Sequence, residues 1–296
     1  MAGPRSVKSA DRVLDILEAV GRKPNGATFM GLSAELRIPK SSLHALLELL
    51  RRRDYLEFDG GSRIYTIGVR AWETGFAYHR HNDIVDHAHH VLESIVEQVN
   101  ETAQFAKLVG HENVYLTKVD SSHALRLQSE VGSRLSAHAT GVGKALLAQL
   151  DESEVRRRFP GEELPVYTPN TISMVRDLLE EMRAIRVRGF AIDNEEYTLG
   201  VFCLAVPVFD RDNTASTAIS VSVPQMRVTP DGLSRILAAL AAGSLRISRS
   251  LGNKTPHPIL EHLSDPVNAA SGIAALEESN RYHSALTDRA SAARPT

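Results

Sequence analysis

Residues 188–207, RGFAIDNEEYTLGVFCLAVP, constrain the chain more than any other stretch. Gly189 can close a preceding helix in a left-handed cap. Phe190, Ala191 and Ile192 read as a short strand, and Val201 to Val208 as a second, almost wholly apolar one. Between them Asp193, Asn194, Glu195 and Glu196 place three carboxylates in four positions, a run too polar to expect in a core. A charged loop between two strands of one sheet sets polar side chains at the rim of an apolar hollow, the usual construction of a small-molecule site. A solvated acidic hairpin loop beside a core strand fits the same residues.

At 296 residues the chain has room for about two domains. Its one cysteine, Cys203, excludes an internal disulfide and suits a reducing cytoplasm. The opening MAGPRSVKSADR has no apolar signal core, and no apolar run is long enough to cross a bilayer, so no membrane partner is expected. The net charge of -2 hides an asymmetry: residues 1–70 hold 12 Lys+Arg against 8 Asp+Glu, and the remainder 22 against 28. A basic first quarter on an acidic body points to nucleic acid at one end only.

That first quarter has the matching pattern. Ala10, Val13, Leu14, Leu17 and Val20 recur at helical spacing, Pro24-Asn25-Gly26 makes a turn, and residues 29–36 read as a short second helix. Arg37-Ile38-Pro39 breaks it. A third helix follows with Leu43, Leu46, Leu47 and Leu50 on one face, giving a helix-turn-helix. Its other face presents Lys40, Ser41, Ser42, His44 and Ala45 near the N-terminus, where a recognition helix meets the major groove. Tyr55 to Phe58, the turn Asp59-Gly60-Gly61 and Arg63 to Thr66 then form a hairpin. Arg63, near its tip, is placed to touch phosphate or enter a minor groove. Ala71, Trp72, Gly75 and Phe76 follow at helical spacing, either as a linker helix contributing to dimerisation or as an ordinary intradomain helix.

Beyond residue 83 the apolar positions predict a helix from Ile84 to Val99. Strands are expected at 101–109, 114–120, 125–128 and 217–223, with long helices at 174–188 and 230–251. A meander of strands between helices is an α+β architecture with an antiparallel sheet. Along 217–223, Ser220 and Ser222 share one face of the strand and Ile219, Val221 and Val223 the other. Gly141 and Gly143 open another helix, whose first-turn N–H groups form a natural anion cradle. The Gly143-Lys144 pair is no P-loop: His138 stands where its first glycine belongs, and Ala145 replaces the hydroxyl that holds magnesium. Of the clustered histidines only His87 and His90 are spaced i, i+3, with no cysteine or third ligand, so they read as a solvated surface and no metal or cofactor is expected. After Gly252 prolines and small or charged residues dominate. Residues 269–286 offer a thin apolar helix face, so disorder, or a helix ordered only against a neighbouring subunit, is expected there.

Two segments of this chain resemble the IclR-type bacterial transcription regulators. One is the opening stretch, with its Arg188-Gly189-Phe190 start, its D-x-E-E run from Asp193 to Glu196, and then Gly200, Cys203, Ala205 and Pro207. The other is the order of three helices and a hairpin ending Tyr65-Thr66-Ile67-Gly68. The resemblance covers residues 6–252 and implies a winged helix-turn-helix over 1–68, a linker helix over 69–82 and a GAF/PAS-like effector domain over 83–252, with the extension 253–296 outside it. Carried onto matching positions, it implies an effector pocket built from the backbone of Gly141 and Val142 with Asp193, Cys203, Ser220 and Ser222. One departure is Ala45, where such regulators often carry arginine; an apolar side chain can reach only a thymine methyl, which bears on which operator is read.

The leading expectation is therefore a ligand-switched DNA-binding regulator, a repressor of a catabolic operon, sensing a small organic acid, aromatic acids included. It would act as a homodimer or dimer of dimers on a near-palindromic operator. The alternative is an enzyme using Asp193, Glu195 or Glu196 as acid/base and Cys203 as nucleophile, for which no histidine or metal partner stands at readable spacing. A sensor whose winged helix binds protein is the third reading, disfavoured by the basic recognition face.

Overall fold

The computed structural model describes residues 7–80, 83–124 and 130–277. The chain divides into two compact units, residues 1–83 and 84–296.

In the first unit α1 (Lys8–Gly21), β1 (Ala27–Thr28), α2 (Phe29–Leu36), α3 (Lys40–Arg52), β2 (Leu56–Asp59), β3 (Ile64–Ile67) and α4 (Val69–Arg80) follow in order. The apolar stripes meet in one core of Ile16, Val20, Leu32, Leu43, Leu47, Leu50 and Leu56. Thr28 caps α2 by accepting from Gly31 N at 3.1 Å. The break between α2 and α3 is made by Arg37 in the left-handed region (φ 51°) with Ile38 buried beneath it. Gly26 (φ 72°) must be glycine, since a Cβ there would lie 2.5 Å from the Tyr65 carbonyl oxygen. The hairpin gains a third strand, β1, so the order is β1-β3-β2. A two-residue strand has no alternation to read, and sequence analysis missed it.

In the second unit, α5 (Asp83–Val99), β4 (Thr102–Val109), β5 (Glu112–Val119) and β6 (Arg134–Ser136) precede α6 (Gly141–Leu147), α7 (Glu152–Arg158) and α8 (Val175–Arg188). Then come β7 (Ala191–Asn194), β8 (Val201–Val208), β9 (Thr217–Pro224), α9 (Pro230–Ser250), α10 (Pro258–Leu263) and α11 (Pro266–Glu277). The six strands form one antiparallel sheet, order β6-β5-β4-β9-β8-β7. The class is α+β, as expected. The strand expected at 125–128 lies outside the described residues, and β6, three residues long, was not expected.

The two faces of this sheet differ in chemistry. Phe105, Ile219, Val221, Leu204 and Val206 are buried in the core with α5 and α9. Gly243 of α9 permits the close approach: a Cβ there would fall 2.8 Å from Ile95 of α5 and 3.3 Å from Ile219. The opposite face carries Gln104, Ser220, Ser222, Cys203 and Asp193, brought side by side by the pairings Gln104↔Ser220, Ser222↔Cys203 and Cys203↔Asp193. The chain ahead of this face is turned by Gly189 (φ 84°), which ends α8 as the sequence indicates.

Of the alternatives expected for the C-terminal extension, residues 258–277 are helical: α10 and α11 lie on α9 of their own chain, burying Leu260, Leu263, Ala269, Ile273 and Leu276. The prolines that read as interruptions start the two helices. The thin apolar face suffices because its small residues allow close contact: Gly272 sits where a Cβ would be 3.7 Å from Phe190 and from Leu237. Residues 278–286 of the expected helix lie outside the described residues.

Candidate functional site: a recognition helix and a polar-walled cavity

On the first unit the inward face of α3 is filled by Leu43, Leu47 and Leu50, which leaves its other face outward. Lys40, Ser41, His44 and Ala45 are exposed there and Ser42 is half-buried; the His44 ring makes an edge contact with Phe29, centroids 6.5 Å apart. Arg52 and Arg53 are exposed beyond, and Arg51 pairs with Glu48 at 2.9 Å. The hairpin tip is shaped by Asp59, whose carboxylate accepts from Gly61 N (3.0 Å) and Ser62 N (3.1 Å) and is held well below the usual carboxylate range by the Ser62 hydroxyl and these amides. Arg63 is not the first residue of the return strand but part of the tip, left-handed (φ 58°) and exposed. On α4, Trp72 and Phe76 stack at 5.1 Å, and Trp72 is 63% exposed.

In the second unit a cavity of about 410 Å³ opens on the polar face of the sheet. Gly141, Val142, Asp193, Cys203, Ser220 and Ser222, scattered over eighty residues of sequence, all line it. Gln104, Tyr115, Thr140, Tyr197 and Val201 also line it and were missed. Gln104 shares its strand with Thr102 and Lys107, so no local pattern singled it out. The serines are already engaged with Gln104: Ser220 Oγ donates to its Oε1 at 2.9 Å, and Ser222 Oγ lies 3.1 Å from its Nε2 and 3.2 Å from its Oε1. Cys203 Sγ is 3.1 Å from Ser222 Oγ. At the other end Thr140 Oγ1 donates to Asn113 Oδ1 at 2.8 Å.

The acidic run is not solvated. Asp193 is 3% exposed and Glu196 4%. Asp193 is the third residue of β7 and accepts from Glu196 N at 2.7 Å, while Glu196 forms a salt bridge with Lys144 of α6, itself fully buried. Thr168 and Thr171 hydroxyls donate to the Glu195 and Glu196 carbonyls, both at 2.6 Å. Lys144 thus has a structural task as the counter-charge that lets the acidic turn fold inward. The Gly143 next to it serves packing: a Cβ would lie 2.2 Å from the Ala137 carbonyl oxygen. Burial, then the Glu196 charge, push Asp193 up to about 7, against the pull of Lys144 and two backbone amides.

These surroundings run against the roles that the enzymatic alternative gives to Cys203 and Glu196. The Cys203 thiol is pushed up by burial and by Asp193 beside it, opposite to what an attacking thiolate needs. The Glu196 carboxylate is tied to Lys144, and Glu195 accepts from Gly200 N at 2.8 Å. Among the described residues no three metal-binding side chains converge; His89 Nδ1 meets Thr117 Oγ1 (2.9 Å) and His90 Nδ1 meets Glu93 (2.9 Å), while the side chains of His79 and His81 lie outside the described residues. No helix among them is long and apolar enough to cross a membrane.

A winged helix-turn-helix with an outward third helix, in a chain whose second unit hollows a sheet face into a cavity, defines a DNA-binding transcription regulator. The comparisons agree. The IclR helix-turn-helix domain matches residues 9–60, and the bacterial transcriptional regulator IclR C-terminal domain matches 76–249. The chain belongs to the IclR family of bacterial transcriptional regulators. It is 31% identical to the HTH-type transcriptional regulator BhcR of Paracoccus denitrificans over 82% of this chain and 86% of that one. It is 29% identical to the transcriptional repressor IclR of Escherichia coli over 83% and 90%. Among solved structures, an IclR homolog from Microbacterium hydrocarbonoxydans complexed with 4-hydroxybenzoate shares the fold at TM-score 0.73, with 20% identity over 82% of this chain and 99% of that one.

Proposed function

We propose that the protein is a repressor of a catabolic operon, released from its operator when a small organic acid enters the cavity on β4, β7, β8 and β9. The observation that carries this reading is the convergence of Gly141, Val142, Asp193, Cys203, Ser220 and Ser222 on one cavity of about 410 Å³, within the range of ligand sites. Its walls offer hydroxyls and an amide rather than catalytic pairs. Tyr115, Tyr197 and Val201 give it apolar surface for a ring or short chain. Gly141 and Val142, in the first turn of α6, supply backbone N–H groups, and Ser220, Ser222 and Gln104 can re-pair their hydrogen bonds toward a carboxylate. Asp193, whose backbone N lies 3.7 Å from where a Cβ on Gly141 would stand, borders the same carboxylate. The 4-hydroxybenzoate carried by the Microbacterium homolog is a ligand of that chemistry.

On the other unit, Lys40, Ser41, Ser42, His44 and Ala45 enter the major groove and Arg63 reaches the flanking backbone or minor groove. Two copies joined through α4, with the Trp72–Phe76 stack covered, would read a near-palindrome, either as a dimer or as a dimer of dimers in the cytoplasm. No cofactor enters this scheme. The test is a gel shift on the DNA upstream of the gene at graded salt, with and without candidate acids. Affinity should fall steeply with salt and again with effector. Binding that ignores salt, or no binding at low salt, defeats the reading.

A further inference from the structure

Among the described residues, no side chain lining the cavity carries a positive charge that could neutralise an acid. Its lining includes two carboxylates, Asp193 and the exposed Glu130, and no lysine, arginine or histidine among the described residues. The cation whose field reaches Asp193 is Lys144 of α6, which lies fully buried and salt-bridged to Glu196, and at Asp193 the Glu196 charge outweighs it. The other titratable groups facing Asp193 are neutral at physiological pH. Tyr115 of β5 and Cys203 of β8 are both pushed up by burial, as is Tyr197 of the following turn, where the Tyr167 phenol adds a smaller push. Lys144, then the Glu196 and Tyr197 amides, favour the ionised carboxyl, and burial with the Glu196 charge outweighs them.

A ligand carboxylate entering this space meets a second carboxylate in a poorly solvated hollow. Like charges in such a site cannot both stay ionised, and the pair keeps one proton between them. We propose that the acid held in this cavity is taken up together with one proton, which ends on the carboxyl pair formed by the ligand and Asp193. This rests on the reading of the cavity as an organic-acid site. The sensor therefore reports the acid and the pH together: it responds most strongly where a weak acid accumulates in an acidified cell.

The sign follows from linkage. The free protein's Asp193 titrates at about 7. Below that pH the proton is already in place and affinity is flat; above it each bound anion must draw a proton from solution, and affinity falls about tenfold per pH unit. A neutral ligand that donates a hydrogen bond to ionised Asp193 gives the reverse slope.

The experiment is calorimetric titration of the full-length protein with acetate, butyrate, benzoate and 4-hydroxybenzoate, each ionised in solution between about pH 6 and about pH 8.5. Benzamide serves as the uncharged control. Two buffers of different ionisation heat give the proton count directly. The expected result is uptake near zero at the acid end and approaching about one proton per site at the alkaline end, with the tenfold-per-unit fall. Benzamide should show no such fall, and Asp193→Asn should flatten the profile of the acids. If Asp193→Asn does not fold, the proton count of the unaltered protein still decides. An acid that binds at alkaline pH without proton uptake overturns this inference and leaves the organic-acid reading standing. Failure of every acid to bind at any pH overturns both.

Discussion

Replacing Lys144 by methionine removes one partner of a buried ion pair and leaves the other in place. Lys144 is fully enclosed and Glu196 is 4% exposed, so water cannot take over the lost interaction. Breaking such a pair by deleting one member costs about 3–5 kcal/mol, because the survivor is a buried, uncompensated charge. In a unit of this size a loss of 1 kcal/mol lowers the melting temperature by about 2–4 °C, so Lys144→Met should lower it by roughly 6–20 °C. Glu196→Leu alone should cost a comparable amount for the mirror-image reason. The double variant removes both charges and should recover all but about 1 kcal/mol, since an apolar pair of similar volume often matches a buried ion pair. The assay is calorimetric melting of the full chain, following the endotherm of the larger unit, at neutral pH. If each single change costs less than about 1 kcal/mol and the double is their sum, the pair is not the counter-charge that folds the acidic turn inward, and the argument fails.

Other consequences are as direct. Lys40→Ala and Arg63→Ala should each weaken operator binding and reduce the slope of log affinity against log salt by about one, whereas His44→Ala and Ser41→Ala should change which sequences are preferred; a gel shift over a salt series separates the two kinds of effect. Gly143→Ala forces a Cβ to within 2.2 Å of the Ala137 carbonyl oxygen, so the larger unit should melt several degrees lower, while Gly141→Ala, whose Cβ would meet Ala205 at an ordinary 3.4 Å, should melt nearly normally. Ending the chain after Gly252 removes the buried side chains of Leu260, Leu263, Ile273 and Leu276. The cost should be on the order of 5 kcal/mol, read as an earlier urea transition of the larger unit with the smaller unit unchanged.

The winged helix was legible because its information is local. Periods of 3.6 residues, a proline and glycine turn, and two alternating runs are each complete within a dozen residues. Gly189 and the strand of Cys203 were legible for the same reason. The run from Asp193 to Glu196 read as too polar for a core because what permits the burial of Asp193 and Glu196, Lys144, lies 52 positions from Glu196 in sequence. Gln104 was missed because its partner Ser220 is 116 positions away and nothing near Gln104 marks it as a wall of a cavity. The two short strands β1 and β6 exist through pairing with β3 and β5, not through any preference of their own residues. The terminal helices were undervalued because a narrow face of alanine, glycine and a few large side chains looks weak alone and is adequate only against the groove that α9 provides.

The central pairing of β4 with β9 joins the start of the sensor sheet to nearly its end. The smaller unit is finished within the first eighty or so residues and closes on contacts between near neighbours. During synthesis at about 5–20 residues per second, roughly seven to thirty seconds separate the two events on the ribosome. If the cavity takes an inducer as proposed, for that interval a nascent chain owns an operator-reading module and no means of hearing it, and the last strand to emerge is the one that brings the molecule under control.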